Sequence, residues 1–155
     1  MAQRFNSIPD SRSAGALRLD RRTPVSADSL SILVVDDDPI ALEVARERLE
    51  RLGLEVSTRS QALGTSQWIL ENRPDFILLD VMMPALTGPE LARVVRKHLS
   101  TFIILYSSRP QAELNELVRE LDVSGAISKA LGEAEFAREL TRIIRQTRNQ
   151  ADRTQ

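Results

Sequence analysis

From Ser31 onward the chain alternates short, β-branched apolar runs with segments of helical period, and this restricts its fold more than any other feature. The runs lie at Leu33-Val34-Val35, Leu54 to Thr58, Asp75 to Leu79, Phe102 to Tyr106 and Gly125 to Ser128. A helix between two such runs carries the chain back across the sheet, so the strands it joins lie parallel. A helical bundle lacks the runs, and a sandwich lacks the helices. Five strands and five helices in strict alternation therefore predict an α/β protein with a doubly wound parallel sheet.

The helical segments carry their own punctuation. Leu42, Ala45, Leu49 and Leu52 recur at helical spacing until Gly53, a natural stop. The segment from Ser66 to Asn72, with Trp68, Ile69 and Leu70, is a weaker helix ending before Pro74. Gly88-Pro89 opens a third with Leu91, Val94, Val95 and Leu99 predicted inward, Pro89 suiting the first turn. Leu114, Leu117, Val118 and Leu121 form a stripe behind Pro110, and the last helix is predicted to bury Phe136, Leu140, Ile143 and Ile144. Residues 1 to 30 show no sustained apolar period and read as a disordered, slightly basic arm. Residues 149–155 read as a polar tail, which leaves 31–148 as the folded domain.

Four of the five runs stop at residues no core requires. The first ends at Asp36-Asp37, the third at Asp80, the fourth at Ser107 and the fifth at Lys129. In an open α/β sheet the C-terminal strand ends line the crevice where ligands bind. Unit charges about 4 Å apart repel by about 4 kcal/mol at an effective dielectric of about 20, so carboxylates gathered there favour a cation or a raised pKa. With no cysteine in the chain, a hard divalent ion with oxygen ligands, Mg²⁺, suits such a pocket best.

Composition narrows the function classes. The 155 residues make one domain, and a net charge of −1 gives no general attraction to nucleic acid or anionic lipid. Disulfides and thiolate metal sites are excluded. No apolar stretch approaches the roughly 18 residues of a membrane span and no apolar signal core is present, so the expected location is the cytoplasm.

These motifs carry a resemblance. Val34-Val35-Asp36-Asp37-Asp38-Pro39, Leu79-Asp80-Val81-Met82-Met83-Pro84 with Gly88 following, the hydroxyl of Ser107 and Lys129 fall in the order and at the strand ends found in the receiver domain of two-component response regulators, of the single-domain, chemotaxis-regulator-like kind. The resemblance covers about Ser31 to Arg148. It implies a flavodoxin-like sheet of order 2-1-3-4-5 and phosphorylation of Asp80 by a histidine kinase or phosphotransfer protein. By the same resemblance Asp37 and Asp80 would ligate Mg²⁺ directly, Asp36 through water, and the backbone carbonyl of Met82 would add an oxygen. Asp80 would attack phosphorus to give an acyl phosphate, Lys129 would supply a compact cation and Ser107 a hydroxyl donor. Ser108 is small enough to leave the phosphoryl group room. Such a protein is a signalling module that catalyses only its own phosphotransfer and dephosphorylation.

Other residues have plainer roles. Asp38 is predicted to cap the first helix, His98 to be a surface or packing residue, and Tyr106 to sit in the core on the face opposite Ser107. The stripe of Arg138, Arg142, Arg145 and Arg148, diluted by Glu135 and Glu139, reads as a solvated face. Two positions depart from the resembled pattern. Ala126 stands where receivers commonly carry a switching aromatic residue, and Ala130 where they commonly carry proline. Neither touches the phosphorylation chemistry; both bear on how a signal leaves the site. A pseudo-switch, a binding module whose surface changes little on phosphorylation, is the alternative they suggest. A haloacid-dehalogenase-like phosphatase is a remoter one, since Asp36-Asp37-Asp38, Ser107 and Lys129 mimic its order, although its further acidic pair has no counterpart after Lys129. With one helix left after Lys129, output is expected from an unidentified downstream protein, from a homodimer or from a region outside this chain, without direct contact to nucleic acid or membrane. Met82, two residues past Asp80, cannot orient an attacking water by hydrogen bonding, and Arg109 sits two past Ser107, so slow self-dephosphorylation is expected.

Overall fold

A computed structural model describes residues 29–83, 88–98 and 101–154. The predicted alternation is observed: β1 (Ser31–Val35), α1 (Pro39–Arg51), β2 (Glu55–Arg59), α2 (Thr65–Asn72), β3 (Phe76–Leu79), α3 (Gly88–His98), β4 (Phe102–Ser107), α4 (Gln111–Leu121), β5 (Gly125–Ser128) and α5 (Glu133–Thr154). The strands form one parallel sheet in the order β2-β1-β3-β4-β5. This is the flavodoxin-like doubly wound fold predicted above.

Alternation along each strand divides the core into two layers. Leu33, Val35, Ile77, Leu79, Ile103, Leu105 and Ala126 face the layer filled from α2, α3 and α4 by Ile69, Leu91, Ala92, Val95, Leu114 and Leu121. Ile32, Val34, Phe76, Leu78, Ile104, Tyr106 and Ile127 face α1 and α5, which contribute Ala45, Leu49, Phe136, Leu140 and Ile143. Because helices cover both faces, β1 and β3 are apolar at nearly every position. Gly125 permits the close approach of α5 to the edge strand, since a Cβ there would stand 2.8 Å from Ile143 Cδ1.

Local chemistry sets the helix ends. Asp38 accepts the Ile40 N–H at 2.9 Å and Pro39 occupies the first turn, the predicted cap. After α1 the chain turns at Gly53 with φ of 80°, a conformation glycine adopts without penalty.

Three expectations are modified. Val94 is 41% exposed, and Ala92 is buried instead. At about 100° per residue the directions of Leu91, Ala92 and Val95 cluster, and Val94 points about a third of a turn away from them. The third strand begins at Phe76 because the Asp75 carboxylate is engaged, accepting from the Ser31 N–H at 2.8 Å and the Ser31 hydroxyl at 3.0 Å. The last helix runs through the segment read as a polar tail, as far as Thr154, with Thr147 buried along its inner face. Residues 1–28, which make up nearly all of the predicted arm, Leu99 with its predicted inward role, and the His98 side chain lie outside the described residues.

Candidate functional site

The sheet register gathers the polar strand ends. Val35, Leu79, Leu105 and Ala126 stand abreast on β1, β3, β4 and β5, so the residues that follow them emerge along one edge. Backbone bonds fix the emergence: Asp36 N–H donates to the Arg59 carbonyl at 3.1 Å, Asp80 N–H to that of Val35 at 2.9 Å, and Lys129 N–H to that of Ser107 at 2.9 Å. Strand pairing alone therefore carries Asp36, Asp80, Ser107 and Lys129 to one edge of the sheet.

Asp36, Asp37 and Asp80 each place a carboxylate oxygen within 4.8 Å of the others. Asp36 and Asp80 are 1% and 5% exposed, whereas Asp37 is open to solvent. Lys129 Nζ lies 2.5 Å from Asp36 Oδ2 and 3.7 Å from Asp80 Oδ2. Backbone donors complete the arrangement. The Asp38 N–H donates to Asp36 Oδ1 at 3.0 Å, and the Met82 N–H to Asp80 Oδ1 at 3.2 Å. One oxygen of each buried carboxylate is thus fixed by backbone, and the other faces the ammonium.

The electrostatics follow from this packing. Burial pushes the Asp80 carboxyl up to about 6, with the Asp36 charge adding to the rise and the Met82 N–H and Lys129 opposing it. For Lys129, burial alone would lower the pKa. Its bond to Asp36 and the charge of Asp80 outweigh burial and hold the ammonium above its usual range. One ammonium does not neutralise three converging carboxylates. A donor set made of hard oxygens, with an excess of negative charge, fits Mg²⁺.

Ser107 is fully buried, and its Oγ accepts the Arg109 N–H at 3.3 Å, which leaves the hydroxyl proton free to donate. Met82 exposes its thioether, against which the Arg109 guanidinium rests at 3.0 Å while its other nitrogen lies 3.6 Å from Glu113. Tyr106 is 3% exposed among Phe136 and Ile104, the core position predicted. Arg142 pairs with Glu139 and with Gln146 on its own helix, so part of the arginine stripe is satisfied locally.

Two neighbours were not singled out in the sequence. Arg59 supplies the carbonyl that anchors Asp36, and its side chain donates to Thr65 Oγ1 at 3.1 Å. Arg48 lies on the inward side of α1, with its guanidinium carbon 5.4 Å from the Phe136 ring centroid. Its position in the 45, 48, 49, 52 series marks it as inward-facing, but apolar periodicity gives no weight to a cation.

Comparison with known proteins agrees with the geometry. A family model described as the response regulator receiver domain matches residues 32–141. The chain is 36% identical over 83 residues to the transcriptional regulatory protein CseB of Streptomyces coelicolor, covering 54% of this chain and 36% of that protein. It is 30% identical over 117 residues to the alkaline phosphatase synthesis transcriptional regulatory protein PhoP of Bacillus subtilis, covering 75% and 49%. It thus spans half or less of the length of these curated relatives. Among solved structures, the BeF3-activated receiver domain of Klebsiella pneumoniae RstA is similar at 26% identity and a TM-score of 0.68, covering 74% of this chain and 98% of that one. The Vibrio cholerae chemotaxis protein CheY4, at 23% identity and a TM-score of 0.67 over 75% and 99%, shares the fold.

Proposed function

Because the chain belongs to the response regulator receiver domain family of two-component systems, we propose that it accepts a phosphoryl group on Asp80 from a histidine kinase or phosphotransfer protein and signals by a change in protein contacts. The observation that carries the reading is the convergence of Asp36, Asp37 and Asp80 within 4.8 Å, with Lys129 against two of them. Asp37 and Asp80 would hold Mg²⁺, with Asp36 through water and the Met82 carbonyl. When bound, the ion neutralises charge on the phosphoryl oxygens and the carboxylates.

The residues divide the work. The Met82 N–H fixes the rotation of the Asp80 carboxylate, and burial leaves that carboxylate sparingly solvated. A carboxylate oxygen of Asp80 attacks phosphorus, the O–P bond forms, and the bond to the donor breaks with its electron pair leaving on the donor nitrogen or oxygen. Phosphoryl transfer asks mostly for positioning and charge neutralisation. Lys129, already 3.7 Å from Asp80 Oδ2, meets the oxygens of the transferred group, and the Ser107 hydroxyl donates a second contact.

No helix among the described residues is long and apolar enough to cross a membrane. The relatives' names speak of transcription, but the output of this chain is proposed as protein–protein contact. Acetyl phosphate with Mg²⁺ should give an acid-stable, hydroxylamine-labile phosphoprotein. Absence of labelling in the wild type refutes the proposal.

A further inference from the structure

The chain's single tyrosine lies against the reaction centre without belonging to it. Tyr106 directly precedes Ser107, so strand alternation sends its ring to the opposite sheet face, toward α1 and α5. There Lys129 Nζ stands 5.6 Å from the ring centroid, inside the roughly 6 Å over which an aromatic face attracts a cation. The ring meets Phe136 of α5 nearly edge-on, with centroids 5.7 Å apart and planes at 67°. Arg48 of α1 lies over Phe136 in turn. Lys129, Tyr106, Phe136 and Arg48 thus form one contiguous column from the crevice to the α1–α5 face, where Arg51 and Glu133 pair at 2.6 Å.

We propose that Tyr106 is a positioning residue whose ring holds the Lys129 ammonium where it meets a phosphoryl group on Asp80, and that displacement of this ammonium passes through Phe136 to the α1–α5 face. The proposal rests on the phospho-acceptor reading and names its route outward. A lysine stem has four rotatable carbons, and the carboxylates alone restrain it from the crevice side. The ring restrains it from the other. When Asp80 gains a phosphoryl group, added negative charge draws Nζ away from Asp36, and its distance from the ring changes with it. Tyr106 is packed and rigid, so its next contact, Phe136, responds. On the other sheet face the equivalent strand position, Ala126, offers only a methyl group.

Four proteins decide the matter: wild type, Tyr106→Leu, Tyr106→Phe and Phe136→Leu, each with acetyl phosphate and Mg²⁺, and each titrated with beryllofluoride under NMR. The expected result is a roughly three- to tenfold loss of labelling rate and beryllofluoride affinity in Tyr106→Leu, restored by Tyr106→Phe, which keeps the ring. In the wild type, amide shifts should extend to residues 45–52 and 133–140 and shrink in Phe136→Leu. By reciprocity of coupling, Phe136→Leu also weakens beryllofluoride binding. The proposal is overturned if Tyr106→Leu labels like a labelling wild type, or if Tyr106→Phe fails to restore the rate. A wild type that does not label removes the phospho-acceptor reading itself, a different result. Should Tyr106→Leu not fold, wild-type protein carrying 3-fluorotyrosine gives one resonance. A shift of that resonance on phosphorylation supports the proposal, and an unmoved one overturns it.

Discussion

Replacing Asp80 with asparagine should stabilise the metal-free protein at neutral pH, although it removes the proposed nucleophile. Asp80 is 5% exposed, and its carboxyl is pushed from 3.8 up to about 6 in the folded state. The folded site therefore binds its proton more tightly than the unfolded chain does. Ionising Asp80 costs folding stability, by about 1.4 kcal/mol for each pKa unit, or about 3 kcal/mol for a rise of about two units. The cost is absent below about pH 4, where both states are protonated, and complete above about pH 7. Asparagine has nearly the same shape, keeps an oxygen to accept the Met82 N–H and carries no charge to desolvate. Urea unfolding of wild type and Asp80→Asn in EDTA should show a gap that opens between pH 4 and pH 7, reaches up to about 3 kcal/mol in favour of the variant, and leaves the urea slope unchanged. Mg²⁺ should narrow the gap by stabilising the wild type preferentially. A variant no more stable than wild type at pH 7.5, or a gap independent of pH, would refute the account of this carboxyl.

Further predictions concern separate parts of the molecule. Lys129→Met removes the cation that competes for Asp36, so Mg²⁺ binding measured by calorimetry should tighten; unchanged or weaker binding contradicts the ion pair seen here. Leu91→Ala should cost about 2–5 kcal/mol in urea unfolding and Val94→Ala less than about 0.5 kcal/mol, since only Leu91 is buried. Met82→Asn places a polar group where it can orient water near Asp80, and should shorten the phosphoryl lifetime measured after removal of acetyl phosphate; a wild-type half-life of seconds contradicts the slow dephosphorylation expected here.

The fold was legible because its signal is redundant. Runs such as Ile77-Leu78-Leu79 are buried on both faces, and the five-fold alternation leaves one class of architecture. Asp36, Asp80, Ser107 and Lys129 were legible for a related reason: each closes an apolar run with a group that no core needs. Val94 was not, because hydrophobicity is the same whether a valine faces the core or solvent, and only the helix's rotation decides. The extension of α5 was missed because residues 149–154 are almost all polar and exposed, so the helix continues there without an apolar stripe to mark it. The column through Tyr106 depends on which face of β4 meets α5, a fact of tertiary packing that a local pattern does not hold. Arg48 escaped notice for a similar reason, its charge masking an inward position.

The central claim is that Asp80 is the phospho-acceptor. Intact-mass spectrometry of the protein with acetyl phosphate and Mg²⁺, followed by borohydride reduction of the acyl phosphate and peptide mapping, tests it most directly. The account predicts a single phosphoryl adduct, lost with hydroxylamine, absent in Asp80→Asn, and mapping to the peptide that contains Asp80. An unmodified wild type, or equal modification of Asp80→Asn, would contradict it.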